Sequence, residues 1–475
     1  LKTLLDGNWI ETGQWFDVHN KYDGKVVDRV PLCDDKLVGK ALDSAYAASK
    51  KMRQMPAYER AEILEKTAVA VLKSSEDLAR TISAEAGKPL KYSRKEAKRA
   101  YVTMKFASEE AKRITGETIP FDAEPRGVQR QGYWFRVPVG LVAAVTPFND
   151  PLNLVAHKLG PAFAAGNAVV LKPASLTPLS ALNLSRALAE SGLPAGALNV
   201  VTGPGDQIGE KLVSDPRVRL VTLTGGTQAG RDVIKWAGIK RFAMELGSNC
   251  PVIVMNDAPM DSAVENCVDA SCNCQGQNCI HAQRFYVQEG IYREFVDRTV
   301  SSMKKLIVGD PLDDKTDVGP MIAEREATRV EQWVNDAVKK GAKVLVGGKR
   351  EGPVVFPTLL ENAPQSATIA SEEVFGPVSV VYKFNKLSEA IEASNSTSYG
   401  LQAGIFTSNI DAALQAVKSL DFGGVLINDT SDFRVDFMPF GGMKLSGLGR
   451  EGIKFAIEEM TEIKTVIYKT SGDEL

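Results

Sequence analysis

Val142-Ala143-Ala144-Val145-Thr146-Pro147-Phe148-Asn149 is the stretch that decides the fold: four apolar residues run into a proline-containing turn, and a helix-like segment follows. The unit recurs. Residues 168–171 end in Lys172-Pro173-Ala174-Ser175, residues 198–201 in Thr202-Gly203-Pro204-Gly205, and residues 219–223 in Thr224-Gly225-Gly226-Thr227. Continuous apolar strands alternating with helices predict an α/β chain whose doubly wound parallel sheet is buried on both faces. Ligands of such sheets sit at the carboxyl ends of the strands, so those four turns are where a site is expected.

Working outward, residues 35–115 are helical by period, with Val38, Ala41, Leu42, Ala45 and Ala48 on one face and Ala61, Leu64, Ala68 and Val71 on another. Gly87-Lys88-Pro89 breaks that region, and Asp6 to Gly13 reads as a small hairpin. Residues 118–121 and 128–137 suggest a polar, weakly burying pair of strands projecting toward another subunit. Downstream, residues 251–254, 284–287, 344–346, 378–382 and 424–427 predict a second α/β region. The alternating tail, residues 462–469, is expected to pair with the projecting strands.

A chain of 475 residues is too long for one core and should divide into two or three domains. Charged residues are 24% and apolar residues 44%, a globular profile. A net charge of −2 gives no electrostatic case for nucleic acid or an anionic membrane. No apolar run approaches the roughly 18–20 residues that cross a bilayer. The first residues lack the features of a secretory signal, and also an initiator Met. Five of the six cysteines fall between Cys250 and Cys279, which is no disulfide framework, so a reducing cytoplasmic setting is expected.

Thr224-Gly225-Gly226-Thr227-Gln228-Ala229-Gly230 follows a strand and opens a helix, where free N–H groups and the helix dipole favour a pyrophosphate. Gly203-Pro204-Gly205-Asp206-Gln207-Ile208-Gly209 has one residue too many for a dinucleotide fingerprint and reads more readily as an ordinary turn. At the end of the second strand, where an acid usually holds the ribose hydroxyls, stand Lys172 and Ser175. A cation beside a small hydroxyl leaves room for a 2′-phosphate and favours NADP over NAD. The local residues read equally well as a plain Lys-Pro turn.

In Ser271-Cys272-Asn273-Cys274-Gln275-Gly276-Gln277-Asn278-Cys279 no second cysteine pair or spaced histidine completes a tetrahedral metal site. Cys272 and Cys274 lie among small residues and are expected to pack. Cys279, after a flexible bend, is placed for exposure as a nucleophile. Glu245 closes an apolar strand at a Gly-Ser corner, which suits a general base or an ordinary surface acid. Asn149 offers an amide to an oxyanion, though an Asx turn before Pro151 explains it more simply.

Together with Met244-Glu245-Leu246-Gly247, Glu373-Val374-Phe375-Gly376-Pro377 and Pro439-Phe440-Gly441-Gly442, these motifs resemble the NAD(P)-dependent aldehyde dehydrogenase superfamily over essentially the whole chain. The resemblance implies that Cys279 attacks an aldehyde, that Asn149 holds the oxyanion, and that Glu245 activates the water that hydrolyses a thioester. It places Thr146, Pro147, Phe148, Lys172, Ser175, Gly205, Gly209, Thr224, Gly225, Gly226, Leu246, Glu373 and Phe375 at the coenzyme, NADP preferred and NAD possible. It implies a coenzyme domain (1–118 and 137–246), a catalytic domain (247–460) and an oligomerisation β element (119–136 and 461–475), hence a homodimer or homotetramer. Gly226 and Ser248 depart from the family's usual Ser and Gly, and Ser175 stands where NAD-preferring members often carry Glu. Glu245 argues against a CoA-acylating variant, and an intact Cys279, Glu245 and Asn149 argue against a catalytically idle homologue. The loop 428–437 is most like members that take small hydroxyaldehydes such as lactaldehyde or glyceraldehyde. Arg99, Asn153, His157 and Arg434 are expected either to contact a hydroxylated or anionic substrate or, equally, to be structural; Phe437 is a further expected substrate neighbour, and His281 either tunes the thiol or packs.

Overall fold

The first sheet runs Gly447–Leu448, Arg241–Glu245, Val218–Thr224, Leu141–Val145, Ala168–Lys172, Leu198–Val200, and only its first strand is antiparallel. The sequence dictates two cores. Val142, Ala144, Val169 and Leu171 point into one, with helices Ala57–Lys73, Leu90–Ala111 and Asn153–Ala165. Leu141, Ala143, Ala168 and Val170 point into the other, against helices Asp35–Gln54, Gly205–Ser214 and Thr227–Ala237. Because alternate side chains face opposite sides, an uninterrupted apolar run is what a strand buried on both faces requires. Each fully buried Val or Leu contributes about 1.5–3 kcal/mol.

This computed structural model describes residues 1–469; the last part of the expected oligomerisation element, 470–475, lies outside the described residues. The second sheet is ordered Lys343–Val346, Thr358–Glu361, Val378–Phe384, Ala282–Gln288, Cys250–Val254, Gln402–Phe406, Gly424–Ile427, and all but its first strand run parallel. Its strands too feed cores on both faces: Val252, Phe285 and Val381 on one, Ile253, Tyr286 and Ile405 on the other. A third sheet pairs Thr461–Lys469 antiparallel with Arg130–Pro138 along their whole length, the pairing expected for the tail.

Some elements differ from expectation. The segment 118–121 is strand only at Glu117–Thr118 and then becomes two 3-10 turns, Phe121–Ala123 and Pro125–Gly127. Pro120 and Pro125 lack the N–H groups a ladder needs. The hairpin Trp15–His19/Val26–Pro31 and the strands Thr358–Glu361 and Gln402–Phe406 were not foreseen. The last of these reads Gln-Ala-Gly-Ile-Phe, too poor in β-formers to stand out. Gly87 does end helix Ser75–Ala86 in the left-handed region, and Pro89 precedes the next helix.

Candidate active site

The carboxyl ends of the first sheet face the amino ends of the second. Glu245 is the last residue of the Arg241–Glu245 strand, and Cys279 lies three residues before the Ala282–Gln288 strand. Between helix Met260–Cys272 and Cys279 the backbone turns through three left-handed residues, Cys274 (φ 48°), Gln275 (φ 48°) and Gly276 (φ 65°). A Cβ on Gly276 would lie 2.1 Å from the carbonyl oxygen of Gly376, so only glycine fits. The loop is tied down by its own amides. Gln277 Oε1 accepts from the Ile322 N–H at 3.0 Å, Gln275 Nε2 donates to Pro320 O at 3.0 Å, and Asn278 Nδ2 donates to Asp432.

Cys279 and Asn149 share a cavity of about 300 Å³ with Lys88, Tyr92, Lys95, Glu96, Arg99, Asp150, Asp269, Asp432, Arg434 and Phe440. Among the described residues none hydrogen-bonds the Asn149 side chain, which leaves its amide for whatever enters. Burial pushes the Cys279 thiol well up, and the charge of Arg434 opposes that rise. Cys272 packs in the core as expected, but Cys274 does not belong with it: the left-handed turn swings it onto the cavity wall beside Lys88.

Behind the thiol lies a buried charged group of which Glu245 is one member. Its Oε2 has no hydrogen-bond partner among the described residues. Burial, and then the negative charge of Glu451, push its carboxyl well above the ordinary range. Glu451 behaves oppositely. Burial would raise it, but Lys158 Nζ at 2.6 Å and Arg434 Nη2 at 2.8 Å hold it below the usual carboxylate range. Two carboxyls in one buried site are thus pushed apart, a proton-accepting one toward the thiol and a fixed anion behind it. Removing one partner of the Lys158–Glu451 pair would cost about 3–5 kcal/mol. Neither Lys158 nor Glu451 stands out in the sequence analysis, although Lys158, beside His157, interrupts an otherwise apolar Leu154–Ala165 run.

The strands are parallel, so the turns at their ends lie along the same edge of the first sheet as Glu245. Lys172 is buried, its ammonium donating to Pro173 O at 3.1 Å, and burial pulls it down to about 8 with Asp206 opposing. Ser175 donates to Gly203 O at 2.9 Å. Gly205 opens helix Gly205–Ser214 beside the Lys172 side chain, with Gly209 buried in its first turns. Thr224 ends its strand, Gly225 and Gly226 form the turn, and a Cβ on Gly226 would meet nothing within 4 Å. Leu246 packs over Gly230 at the base of that helix. Glu373 accepts from the Ser248 N–H at 2.8 Å, and burial raises its carboxyl to about 7. Phe375 meets Phe148 edge-on with centroids 5.6 Å apart. The Thr146 hydroxyl is buried with no partner among the described residues, and Pro147 follows it.

The expected substrate neighbours divide. Arg99 and Arg434 line the cavity. Asn153 and His157 do not: both are fully buried, bonded to Asp436 at 3.1 and 2.9 Å. His157 also touches the Arg434 guanidinium, 3.2 Å from Nη2. Phe437 lies 52% exposed against Phe106, ring centroids 5.0 Å apart. His281 packs against Ser271 O at 3.1 Å, and burial lowers it to about 4, so it is a neutral core residue.

Comparison with known proteins agrees with this geometry. The model of the aldehyde dehydrogenase family matches residues 9–466. The chain is 43% identical to the 3-sulfolactaldehyde dehydrogenase of Priestia megaterium over 463 residues, 98% of this chain and 97% of that one. Among solved structures it is similar to aldehyde dehydrogenase 21 from Physcomitrella patens in complex with the reaction product succinate (TM-score 0.97, 41% identity, 99% and 98% of the two chains). It is also similar to glyceraldehyde-3-phosphate dehydrogenase GapN from Methanocaldococcus jannaschii complexed with NADP (TM-score 0.92, 39% identity, 97% and 100%).

Proposed function

The chain belongs to the aldehyde dehydrogenase family, and from that premise we propose that it oxidises a small hydroxylated aldehyde to a carboxylate, with NADP preferred to NAD. The observation that carries this reading is one cavity holding the Cys279 thiol and the free Asn149 amide, with the unpartnered Glu245 carboxyl close enough for its charge to act on that thiol.

Cys279 gives up its proton to solvent and adds as thiolate to the carbonyl carbon. The oxyanion is held by the Asn149 amide and the Cys279 backbone N–H, donors fixed before the reaction begins. A nicotinamide coenzyme held by the strand-end turns would supply the acceptor for the hydride lost from this carbon, and Cys279 would then carry the acyl group as a thioester. Glu245, its basicity raised by burial, takes a proton from the water that attacks the thioester and frees the carboxylic acid. Glu451, fixed by Lys158 and Arg434, keeps a negative charge near Glu245 and sustains that basicity.

The residues of these turns fit a phosphorylated dinucleotide. Lys172 has only a backbone carbonyl as partner, Ser175 is too small to block a 2′-phosphate, and Gly226 leaves open space before a helix N-terminus. Glu373 and Phe375 stand on the side nearer the thiol. NADP is bound in GapN, which supports the assignment for this chain. The cavity of about 300 Å³ has room for a short aldehyde. Two relatives' names, sulfolactaldehyde and glyceraldehyde-3-phosphate dehydrogenase, support a hydroxylated one.

We assign coenzyme binding to the first sheet, catalysis to the second, and self-association to the third. The third sheet exposes Tyr133, Ile463, Ile467 and Tyr468, more apolar surface than a lone three-stranded sheet would leave wet. No helix among the described residues is long and apolar enough to cross a membrane.

The test uses stopped-flow NADPH absorbance with a panel of short aldehydes. Cys279→Ala should form none. Glu245→Gln should keep a first-turnover burst near one NADPH per active site, while steady-state turnover falls by about 10²–10⁴-fold. A Glu245→Gln enzyme with wild-type turnover would refute its role.

A further inference from the structure

One carboxylate spans the left-handed bend that delivers Cys279. Asn273 caps helix Met260–Cys272 just before the bend, and Asn278 follows the bend and precedes the thiol. The side-chain amides of both donate to Asp432, Asn273 to its Oδ2 and Asn278 to its Oδ1. Two amide donors arriving at one planar group need an acceptor on each of its arms, which a carboxylate has and a carboxamide lacks.

Asn278 hands this hold on to the nucleophile. Its main-chain carbonyl accepts from the His281 N–H at 3.0 Å, and its side-chain Oδ1 accepts from the Ile280 N–H at 3.3 Å. Cys279 therefore stands at the head of a turn closed by both backbone and side chain. The turn employs the N–H groups beyond Cys279 and leaves the Cys279 N–H itself with no partner among the described residues. The peptide plane that aims this N–H lies between Asn278 and Cys279, so it follows where the Asn278 carboxamide is held. Asp432 is itself on a fixed support. The Ser431 hydroxyl beside it donates to Ile280 O at 2.8 Å, and Gln402 Nε2 donates to Ser431 O at 2.6 Å and Phe433 O at 3.1 Å.

We propose that Asp432 is a positioning residue for the oxyanion: by holding the Asn278 carboxamide it keeps the Cys279 backbone N–H aimed at the place where the oxyanion forms. This rests on the reading of Cys279 as the nucleophile and of its N–H as an oxyanion donor. Such a donor is effective only when its direction is set before the charge develops. Removing a negative charge near the thiol would by itself favour both thiolate and oxyanion, so a rate lost with Asp432 reports aim rather than charge. The Asn149 amide stays in place throughout, and the loss is partial.

The test measures the rate constant of the first NADPH turnover with saturating coenzyme and a short aldehyde. It is run at pH 9, because burial pushes the Asp432 carboxyl up to about 8, the Asn273 amide opposing, and the carboxylate is the form that accepts twice. Asp432→Asn leaves one oxygen for two donors, and Asn278→Asp sets two carboxylates against each other; both keep the size of the side chain. Each should lower the rate constant at least about tenfold, part of the roughly 10²–10³ lost when a whole oxyanion donor is removed. The exchange variant, Asn278→Asp with Asp432→Asn, reverses the bond between the two residues and keeps those to Asn273 and Ile280, so it should recover to within about fivefold of wild type. Alkylation of Cys279 by iodoacetamide, a displacement that forms no oxyanion, should not slow in Asp432→Asn. A smaller loss in Asp432→Asn, an exchange variant that does not recover, or alkylation slowed in step with the NADPH burst would overturn the proposal. If the wild type forms no NADPH from any aldehyde, the oxidation reading fails, and the proposal is judged by the burst of 4-nitrophenolate from 4-nitrophenyl acetate. Attack of the thiol on that ester raises an oxyanion without coenzyme. The same ranking of the three variants there upholds the proposal, and equal bursts remove it.

Discussion

Ser175→Glu tests the coenzyme assignment most directly, because its size can be worked from the strand-end turns. Ser175 is half-buried, three residues beyond Lys172, and its hydroxyl reaches only Gly203 O. A glutamate there sets a carboxylate beside the Lys172 ammonium, in the space assigned to the 2′-phosphate. Opposing one negative charge to two at about 5 Å costs roughly 1.7 kcal/mol in bulk water and about 7 kcal/mol at an effective dielectric of 20. A half-buried edge lies between, so ~3 kcal/mol against NADP is expected, about 150-fold. The same carboxylate accepts from the free ribose hydroxyls of NAD, worth about 1.5 kcal/mol or roughly tenfold. The ratio of kcat/KM for NADP to that for NAD should therefore drop by about 10³ in initial-rate assays at saturating aldehyde. Ser175→Ala should leave it within about threefold. A shift smaller than tenfold in Ser175→Glu would mean that the 2′-phosphate is not held here.

Three further outcomes follow from particular contacts. Burial lowers Lys172 to about 8 in the free enzyme, and the ammonium is the form that binds phosphate. KM for NADP should therefore be level below pH 8 and climb toward tenfold per pH unit above it, with KM for NAD moving less; a flat profile to pH 9 contradicts this. Gly276→Ala forces a Cβ to within 2.1 Å of a carbonyl oxygen at φ 65°, so the loop must shift. Activity should fall more than about 100-fold with at least ~3 kcal/mol lost by denaturant unfolding, and near-normal turnover would show that the bend does not aim the thiol. Ile463→Glu with Ile467→Glu should lower the mass seen by light scattering to that of a smaller assembly, and an unchanged mass would move self-association to another surface.

What could be read from the chain was what local chemistry forces. Residues 142–145 and 168–171 are apolar at every position because both sides of the strand are buried, and the turn residues that bound these short runs mark them as strands. Glycines of the Thr224–Gly230 turn and the Gly276 bend announce themselves in the same way. The charged groups behind the thiol do not. Glu451 is 293 residues from Lys158 and 17 from Arg434, so their meeting is a product of tertiary closure. Cys274 was misjudged because its neighbours are small and apolar, while its direction is fixed by a left-handed φ that no side-chain pattern signals. For Asn153 and His157 polarity alone leaves substrate contact and a structural role equally open, and in the fold that polarity serves Asp436 and, for His157, the flank of Arg434.

The loop carrying Cys279 is bonded through its amides to the segment 320–322 and packs closely on the backbone at Gly376, two places distant in sequence from each other. The far end of the cavity is built differently, from side chains projecting off helix Leu90–Ala111 and the 432–440 loop. Reactivity is thus a property of the scaffold, and selectivity a property of replaceable decorations on it. A change at exposed Lys95 leaves the thiol loop untouched, whereas Asp432 accepts from Asn278 and Arg434 holds Glu451, so a change at either reaches the thiol. Only the Lys95 side of the cavity lets a lineage diversify its diet while its chemistry stands still.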